Sequence, residues 1–304
     1  MKVSIIIVNY NGKKVLPVCL TSIYNQTYKN FEVIIVDNAS TDESVFDVED
    51  NFPKVKIIKN KINYGFAKGN NIGIKRAKGE YIIMVNPDTE MNKDFLEEML
   101  YFASLGHRTA FVTPKVIRKD TGEIDTYGIR VPKSGLGKDI KEIDELKYMI
   151  APCGVSMMWR RKALDDIAVK GEYLDEDFFA YCEDTDLGIR AILRDWSYGC
   201  VPNAIIYHNH SHIMKSAPSY IQLLGHRNNI LTVIKNYPRN VLIKALPSII
   251  FWQLASIALY CIKFKPHIIL KLKWDAWKLL PKMLEKRKII QSRIKIDNFG
   301  DYLV

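Results

Sequence analysis

The stretch Val3-Ser-Ile-Ile-Ile-Val-Asn-Tyr-Asn-Gly12 carries an unbroken apolar run that ends abruptly in polar residues. Similar runs occupy residues 31–36, 55–58 and 81–85, and such runs are typical of strands buried on both faces of a parallel sheet. Residues 15–23 and 95–103 instead repeat apolar side chains at helical spacing. The alternation predicts an α/β fold with a mostly parallel central sheet and flanking helices.

Polar clusters follow three of the four predicted strands directly. They are Asn9-Tyr-Asn11-Gly, Asp37-Asn38-Ala-Ser-Thr-Asp42 and Asn86-Pro-Asp88-Thr. Turn formation and helix capping explain any one of them. Three clusters at one sheet edge favour a ligand site, because open α/β sheets bind ligands outside the carboxyl ends of their strands.

The sequence has neither G-x-G-x-x-G after the first strand nor a Walker lysine motif, which argues against a dehydrogenase or a P-loop enzyme. A carboxylate at the end of strand four offers another way to hold a diphosphate, through a divalent cation that bridges it to phosphate oxygens. Asp88 is therefore the first candidate metal ligand.

Two later segments add titratable groups. Residues 175–186 contain six acids, of which Glu183 and Asp184 open a predicted helix, and helix capping does not account for so many. A predicted strand over residues 201–207 leads into His208-Asn-His-Ser-His212. Imidazoles bind divalent metals, and His208 is the best placed, whereas His210 and His212 also fit a solvated loop. Residues 110–160 predict further strands and a flexible loop over the site.

The motifs together resemble family 2 glycosyltransferases with the GT-A nucleotide-diphospho-sugar transferase fold, in particular their rhamnosyltransferase-like subgroup. The pieces that carry the resemblance are residues 3–12, 36–42, 63–73 (Asn-Tyr-Gly-Phe-Ala-Lys-Gly-Asn-Asn-Ile-Gly), 86–89 and 178–190. They occur in the family's order over about residues 1–235. The resemblance implies an inverting, metal-dependent transferase that moves a sugar from a UDP- or dTDP-sugar to an acceptor hydroxyl.

It also implies roles for individual residues. Asp184, beside Glu183, would be the general base, and Asp88 and His208 would hold Mg²⁺ or Mn²⁺. Asn86 stands where the usual Asp-x-Asp motif has its first acid, so the metal would depend more on Asp88 and His208. Asp37 would receive the nucleobase. The other expected donor-binding residues are Asn9, Asn11, Asn38, Gly65, Asn70, Asn71 and Asn86.

The C-terminal region is basic and apolar. The formal charge is +10, and residues 1–234 are neutral, so the excess lies in residues 235–304. Residues 245–262 are uncharged, and tryptophans alternate with lysines after them. We expect a catalytic domain over 1–234 and a helical, membrane-associating appendage over 235–304 that lies on an anionic bilayer. A single span and packing on the catalytic domain or in a homodimer are the alternatives, and a general nucleic-acid surface is not indicated.

Five scattered cysteines and an N-terminus without a signal-peptide pattern indicate a reducing compartment, hence the cytoplasmic face of the membrane, with a lipid-linked or glycan acceptor. Two other enzyme classes share such a nucleotide pocket: polyprenol-phosphate sugar transferases and nucleotidyltransferases. A membrane-anchored nucleotide- or sugar-binding module is the non-enzymatic alternative, although the presence of both Asp88 and Asp184 argues against it.

Overall fold

The computed structural model describes residues 2–210, 219–263 and 266–304. Its strands are β1 (Val3–Asn9), β2 (Phe31–Asp37), β3 (Lys56–Lys59), β4 (Tyr81–Val85), β5 (Thr89–Met91), β6 (Thr109–Arg118), β7 (Ile124–Thr126), β8 (Ile129–Arg130), β9 (Lys138–Asp139), β10 (Met149–Ala151), β11 (Ser156–Arg160) and β12 (Ser197–His208). Its helices are α1 (Leu16–Tyr24), α2 (Phe46–Asn51), α3 (Gly65–Arg76), α4 (Phe95–Ser104), α5 (Arg161–Ile167), α6 (Glu183–Leu193), α7 (Ser219–Gln222), α8 (Leu224–Asn236), α9 (Arg239–Lys263) and α10 (Pro266–Gln291). Short 3₁₀ helices cover Ile143–Tyr148, Glu176–Phe178 and Phe299–Tyr302.

The central sheet has the strand order β3-β2-β1-β4-β11-β6-β12-β5, and β7 pairs with β6. The parallel pairing predicted for the first four strands is confirmed, and β6 and β12 run in the same direction as they do. β11, β5 and β7 run the opposite way, so the whole sheet is mixed. The carboxyl ends of β1, β2, β4, β6 and β12 therefore meet at one edge.

Side chains alternate between two apolar layers on the two faces of this sheet. Ile5 and Ile7 of β1 enter a core with α1 and α4, whereas Ile6 enters one with α3, α5 and α6. Helix α3 packs very close to β1, because a Cβ on Gly69 would lie 2.8 Å from Val8 and one on Gly73 would lie 2.5 Å from Ile6. The glycines thus bring α3 against the strand ends.

The C-terminal helices share a third apolar cluster with helix α6 of the α/β body. It contains Ile189 and Ile192 of α6 together with Val233, Val241 and Ile290 from α8, α9 and α10. The predicted boundary between residues 234 and 235 falls inside α8. The division into two domains stays a prediction, but part of the appendage packs on the body, as the packing alternative expected.

Helix α9 is the one described helix that is long and apolar enough to cross a bilayer. Its segment Arg239–Leu259 has a mean hydropathy of 1.7, and only 17% of its apolar window is buried. Val241, Ala245 and Ile249 face the protein, while the large side chains of Ile250, Phe251, Trp252 and Leu254 are exposed. Length and composition alone do not distinguish a span from a surface helix.

Candidate functional site

The first strand ends in a polar cluster built on Asn9 and Asp37, which are paired in the β1–β2 register. Asn9 Nδ2 donates to Asp37 Oδ1 at 2.9 Å and to Ser44 Oγ at 2.7 Å. Ser40 donates its hydroxyl to Asp37 Oδ1 and its main-chain N–H to Asp37 Oδ2. An ionised carboxylate accepts about four hydrogen bonds, so three internal ones leave Asp37 room for one more donor, such as a nucleobase N–H.

The side-chain oxygen of Asn9 is a second available hydrogen-bond acceptor in this cluster, beside the carboxylate of Asp37. Its Oδ1 is buried without a hydrogen-bond partner among the described residues. A Cβ on Gly12 would lie 2.3 Å from this atom, so glycine keeps the surrounding space open. A buried acceptor of this kind calls for a donor supplied by water or ligand.

Asn11 and Asn38 hold the loops around the cluster. Asn11 has a φ of 54° and its Oδ1 accepts from the Thr41 N–H at 2.8 Å, which ties the first polar loop to the second. Asn38 is buried and donates to the Gly65 carbonyl at 3.0 Å. The two asparagines thereby fix the ends of β1 and β2 relative to the start of α3.

The three predicted donor-binding residues of α3 differ in their surroundings. Gly65 has a φ of +78°, and a Cβ there would lie 2.5 Å from the Phe179 carbonyl. Asn70 keeps a buried Oδ1 with no partner in the described part of the chain. Asn71 instead uses its amide to hold Leu174 and Glu176. A donor contact through Asn71 would require these bonds to break, and its predicted role is the weakest of the set.

A candidate metal centre lies where β4 and β12 end. Thr89 pairs with His208, which brings Asp88 Oδ1 to 3.5 Å from His208 Nε2. Asp125 of β7 completes the cluster, with Oδ2 at 3.3 Å from His208 Nδ1 and 2.9 Å from His210 Nε2. The potential ligand atoms of Asp125, His208 and His210 all lie within 4.8 Å of one another. Carboxylates and imidazoles suit Mn²⁺, while Mg²⁺ prefers oxygen ligands.

Opposite charges hold this cluster together. Burial lowers the pKa of His208, but hydrogen bonds and the charges of Asp125 and Asp88 outweigh burial and raise it to about 9. Burial raises the pKa of Asp125, yet the two imidazoles bring it below its ordinary value. A protonated His208 therefore occupies the centre of an anionic pair, which is the electrostatic environment that a cation also favours. His212 lies outside the described residues.

Asp184 and Glu183 begin α6, as predicted, and differ in their surroundings. Asp184 is partly exposed; its Oδ2 accepts from the Gly154 N–H at 3.1 Å and its Oδ1 from the Thr185 N–H at 2.6 Å. Burial raises its pKa to about 6, although these hydrogen bonds oppose the shift. Burial and the charge of Asp184 raise the pKa of Glu183 far more, and its Oε2 has no hydrogen-bond partner in the described residues. At neutral pH Asp184 is an available base, whereas burial disfavours the ionised form of Glu183.

Two consecutive residues connect the base to the metal centre. Gly154 donates to Asp184, and the carbonyl of Val155 accepts from the main-chain N–H of Asn86 at 2.9 Å. The Asn86 carbonyl in turn accepts from the Thr89 hydroxyl at 2.8 Å. Asn86 thus supports the turn that presents Asp88 through its main chain.

Sequence reasoning missed Asp125 and the support of the base. Asp125 is one of three acids in a short hairpin, with Asp120 and Glu123, and no local pattern distinguishes it from the other two. The backbone before Asp184 has positive φ at Phe179, Tyr181 and Cys182. Asn228 Nδ2 donates to the carbonyls of residues 178, 180 and 181 in this strained turn. The polar run His226-Arg-Asn-Asn229 in a helix was the available signal.

Comparison with known proteins places this site in a family context. The family model described as glycosyl transferase family 2 matches residues 4–168. An uncharacterized glycosyltransferase of Haemophilus influenzae is 37% identical over 97 residues, which cover 32% of this chain and 33% of that protein. The matches thus span about a third of the length of such curated relatives.

Solved structures extend the similarity to most of the chain. The poly(ribitol-phosphate) β-N-acetylglucosaminyltransferase TarS of Staphylococcus aureus, in complex with UDP-GlcNAc, has a TM-score of 0.63 at 20% identity, covering 97% of this chain and 84% of that one. The mannosyltransferase PcManGT of Pyrobaculum calidifontis, in complex with GDP-Man and Mn²⁺, has a TM-score of 0.58 at 16% identity, covering 96% and 84%. At these identities the structures show the fold, and they confirm the GT-A architecture.

Proposed function

The chain belongs to glycosyl transferase family 2, and we propose that it transfers a sugar from a UDP- or dTDP-sugar to an acceptor hydroxyl with inversion, assisted by a divalent cation. One observation carries the proposal. The Asp88–His208–Asp125 cluster and the Asp184 carboxylate are joined through the adjacent residues Gly154 and Val155. A cation site and a base of suitable pKa are thus parts of one edge of the sheet.

The donor nucleotide would occupy the cluster at the ends of β1 and β2. Asp37 has one acceptor position left, and the Oδ1 atoms of Asn9 and Asn70 accept no hydrogen bond from the residues that the structure describes. Binding of UDP-GlcNAc by TarS and of GDP-Man by PcManGT supports a nucleotide-diphosphate donor here. A pyrimidine base that carries an N–H donor matches a pocket with several free hydrogen-bond acceptors.

The diphosphate would lie beside the candidate metal centre. Asp88 and the Nε2 atom of His208 would hold Mn²⁺ or Mg²⁺, and this mixed set of oxygen and nitrogen donors favours Mn²⁺. When bound, the cation neutralises charge on the leaving nucleoside diphosphate. Asp125 would also orient His208, since a carboxylate on the second ring nitrogen fixes the tautomer and ring position of a ligand histidine.

Asp184 would act on the acceptor. Its carboxylate takes the proton of the attacking hydroxyl while the anomeric C–O bond to the diphosphate breaks, and general-base catalysis of this kind contributes about 10²–10⁴-fold. A direct attack without a covalent sugar–enzyme intermediate inverts the anomeric carbon. Burial and the charge of Asp184 raise the pKa of Glu183, which disfavours a second negative charge beside Asp184.

The exposed apolar surface of α9 and α10 supports a membrane-bound acceptor. Leu254, Trp274 and Trp277 are more than half exposed, and the exposed lysines Lys244, Lys271 and Lys278 lie on the same helices. We infer that this surface lies on the anionic cytoplasmic face of the membrane, where the acceptor would be lipid-linked or a growing glycan. A homodimer would cover the same residues, and the rhamnosyltransferase-like subgroup stays a prediction.

The decisive experiment is a panel of nucleotide sugars incubated with the full-length protein and Mn²⁺, with and without detergent-solubilised polyprenol-linked acceptors. Release of UDP or dTDP that depends on Asp184 supports the glycosyltransferase. A nucleotidyltransferase would release pyrophosphate from a nucleoside triphosphate, and a polyprenol-phosphate sugar transferase would accept the bare polyprenol phosphate. A binding module would show thermal stabilisation by a nucleotide sugar without any turnover.

A further inference from the structure

The acidic segment that precedes and includes the base is held by two buried lysines from the C-terminal helices. Lys235 of α8 lies 2.5 Å from Asp175 and 2.7 Å from Asp186. Lys286 of α10 lies 2.5 Å from Asp175 and 3.0 Å from both Glu172 and Asp177. The two lysine side chains are only 2% and 5% exposed. Asp175 therefore bridges two cations, one on each carboxylate oxygen.

The carboxylates and the lysines of this network depend on each other for their charge. Burial alone would raise the pKa of Asp175, but the two ammonium groups hold it well below its ordinary value. Burial alone would lower the pKa of Lys286, and its three carboxylate partners raise it instead. Removing one lysine would leave buried carboxylates without a counter-charge, a change that proteins accommodate by local rearrangement or protonation.

Contacts hold the chain both before and after Asp184 in the sequence. Asp186 follows Asp184 by two residues on the first turn of α6, and it is also paired with Arg190 at 2.8 Å. Ahead of the base, Arg227 donates to the carbonyls of Asp177 and Phe178, and Asn228 holds the strained turn that follows. Backbone in sparsely populated conformations persists only where surrounding contacts enforce it.

On this basis, and given the proposed role of Asp184, we propose that Lys235 and Lys286 are positioning residues for the general base. They act through Asp175 and Asp186, and they make the C-terminal helices part of the catalytic unit. The acidic stretch is accordingly divided in function: Glu183 and Asp184 face the site, whereas Asp175, Asp177 and Asp186 anchor the segment that carries them.

The test compares full-length Lys286→Met with Lys288→Met, which removes the same charge from an exposed position on the same helix. Hydrogen exchange is followed in residues 175–186, and turnover is measured with the nucleotide sugar that the wild type hydrolyses fastest. Lys286→Met should increase exchange in residues 175–186, leave it unchanged in β1–β4, and reduce kcat by roughly 10–100-fold. The affinity for UDP with Mn²⁺ should not change. Lys286→Arg should recover most of the lost kcat.

Unchanged exchange in residues 175–186, or a kcat equal to that of Lys288→Met, overturns the proposal. Loss of UDP affinity in proportion to kcat would also overturn it, because a general loss of structure would then explain the defect. If Lys286→Met does not fold, Asp177→Asn removes only one partner of Lys286 and is judged by the same outcomes. A wild type that turns over no nucleotide sugar would refute the proposed function, and the exchange measurement would still decide whether the lysines hold the segment.

Discussion

Gly154 donates its main-chain N–H to Asp184 Oδ2 at 3.1 Å, and a Cβ on Gly154 would lie only 3.0 Å from that oxygen. The hydrogen bond aims the carboxylate, and the missing side chain leaves the space in front of it open. The same glycine precedes Val155, which supports Asn86 beside the metal centre. Main-chain contacts of two adjacent residues therefore connect the proposed base to the candidate metal centre.

Asp184→Asn should reduce transfer by roughly 10²–10⁴-fold, because an amide cannot take the acceptor proton. Donor affinity, measured by calorimetry with UDP and Mn²⁺, should stay close to that of the wild type. Glu183→Gln is the matched comparison, since it changes the neighbouring carboxyl, whose ionisation burial disfavours. It should retain most activity. Comparable losses in the two variants would contradict the assignment of the base to Asp184.

The raised pKa of Asp184 also predicts how rate and stability depend on pH. The rate should rise with pH through about 6 and then level off, since the ionised carboxylate is the active form.

The stability of the folded protein should change with pH in the opposite direction. A folded-state carboxyl pKa above the unfolded one means that the folded protein binds the extra proton, so stability falls as pH rises from about 4 to 6.

At pH 8, Asp184→Asn should consequently unfold at a higher temperature than the wild type, and the difference should shrink at pH 4, where Asp184 is protonated in the folded wild type and about half protonated in the unfolded state. Differential scanning calorimetry of the two proteins at both pH values checks this. An Asn variant that is less stable at pH 8 would show that the carboxylate is better stabilised by its hydrogen bonds than the raised pKa indicates.

Asp125→Asn should weaken Mn²⁺ binding by about 10–100-fold, the range typical when a partner of a ligand histidine is lost. Asp88→Ala should abolish the increase in UDP affinity that Mn²⁺ produces. Manganese binding is followed by electron paramagnetic resonance of the free ion. Asp120→Asn serves as the control, since Asp120 is an exposed acid nearby that pairs with Arg118. Equal manganese affinity in Asp125→Asn and Asp120→Asn would remove Asp125 from the centre.

Asp37→Ala should lower UDP affinity by roughly 10–100-fold whether or not Mn²⁺ is present, because a hydrogen bond to a charged acceptor contributes about 1.5–3 kcal/mol and does not involve the diphosphate. Calorimetry with uridine as well as UDP separates the base contact from the phosphate contact. Uridine affinity that survives the substitution would place the nucleobase elsewhere.

The double variant Trp274→Ser/Trp277→Ser should lose binding to phosphatidylglycerol vesicles, since both indoles are exposed on α10. High salt should weaken wild-type binding without abolishing it, because screening affects the lysines but not apolar burial. Phe46→Ser/Tyr101→Ser removes exposed aromatic residues from the body and should bind vesicles normally. A concentration-dependent dimer that dissociates in the tryptophan variant, with no vesicle binding by the wild type, would favour the homodimer.

The sequence alone determined the elements whose signals are local. The apolar runs of β1, β2 and β4 specify buried parallel strands, whereas the burial predicted for the third run was wrong, because β3 lies at the edge of the sheet and is partly exposed. Strand direction then places Asn9, Asp37 and Asp88 at one edge, because the carboxyl ends of parallel strands coincide. Glu183 and Asp184 were placed at the start of a helix by a local signal too, the apolar pattern that follows them. These predictions depend on residue spacing within one or two elements.

Only the tertiary structure decided which distant charges meet. Asp125 joins His208 because β7 pairs with β6 and β6 pairs with β12, a relationship that no spacing records. Lys286 contacts Asp175 across 111 residues of sequence, so a tail that was predicted to face anionic lipid directs some of its cations into the catalytic body. Composition gives the number of charges in a segment. Their partners are set by packing, since a buried charge is stable only where the fold supplies a counter-charge.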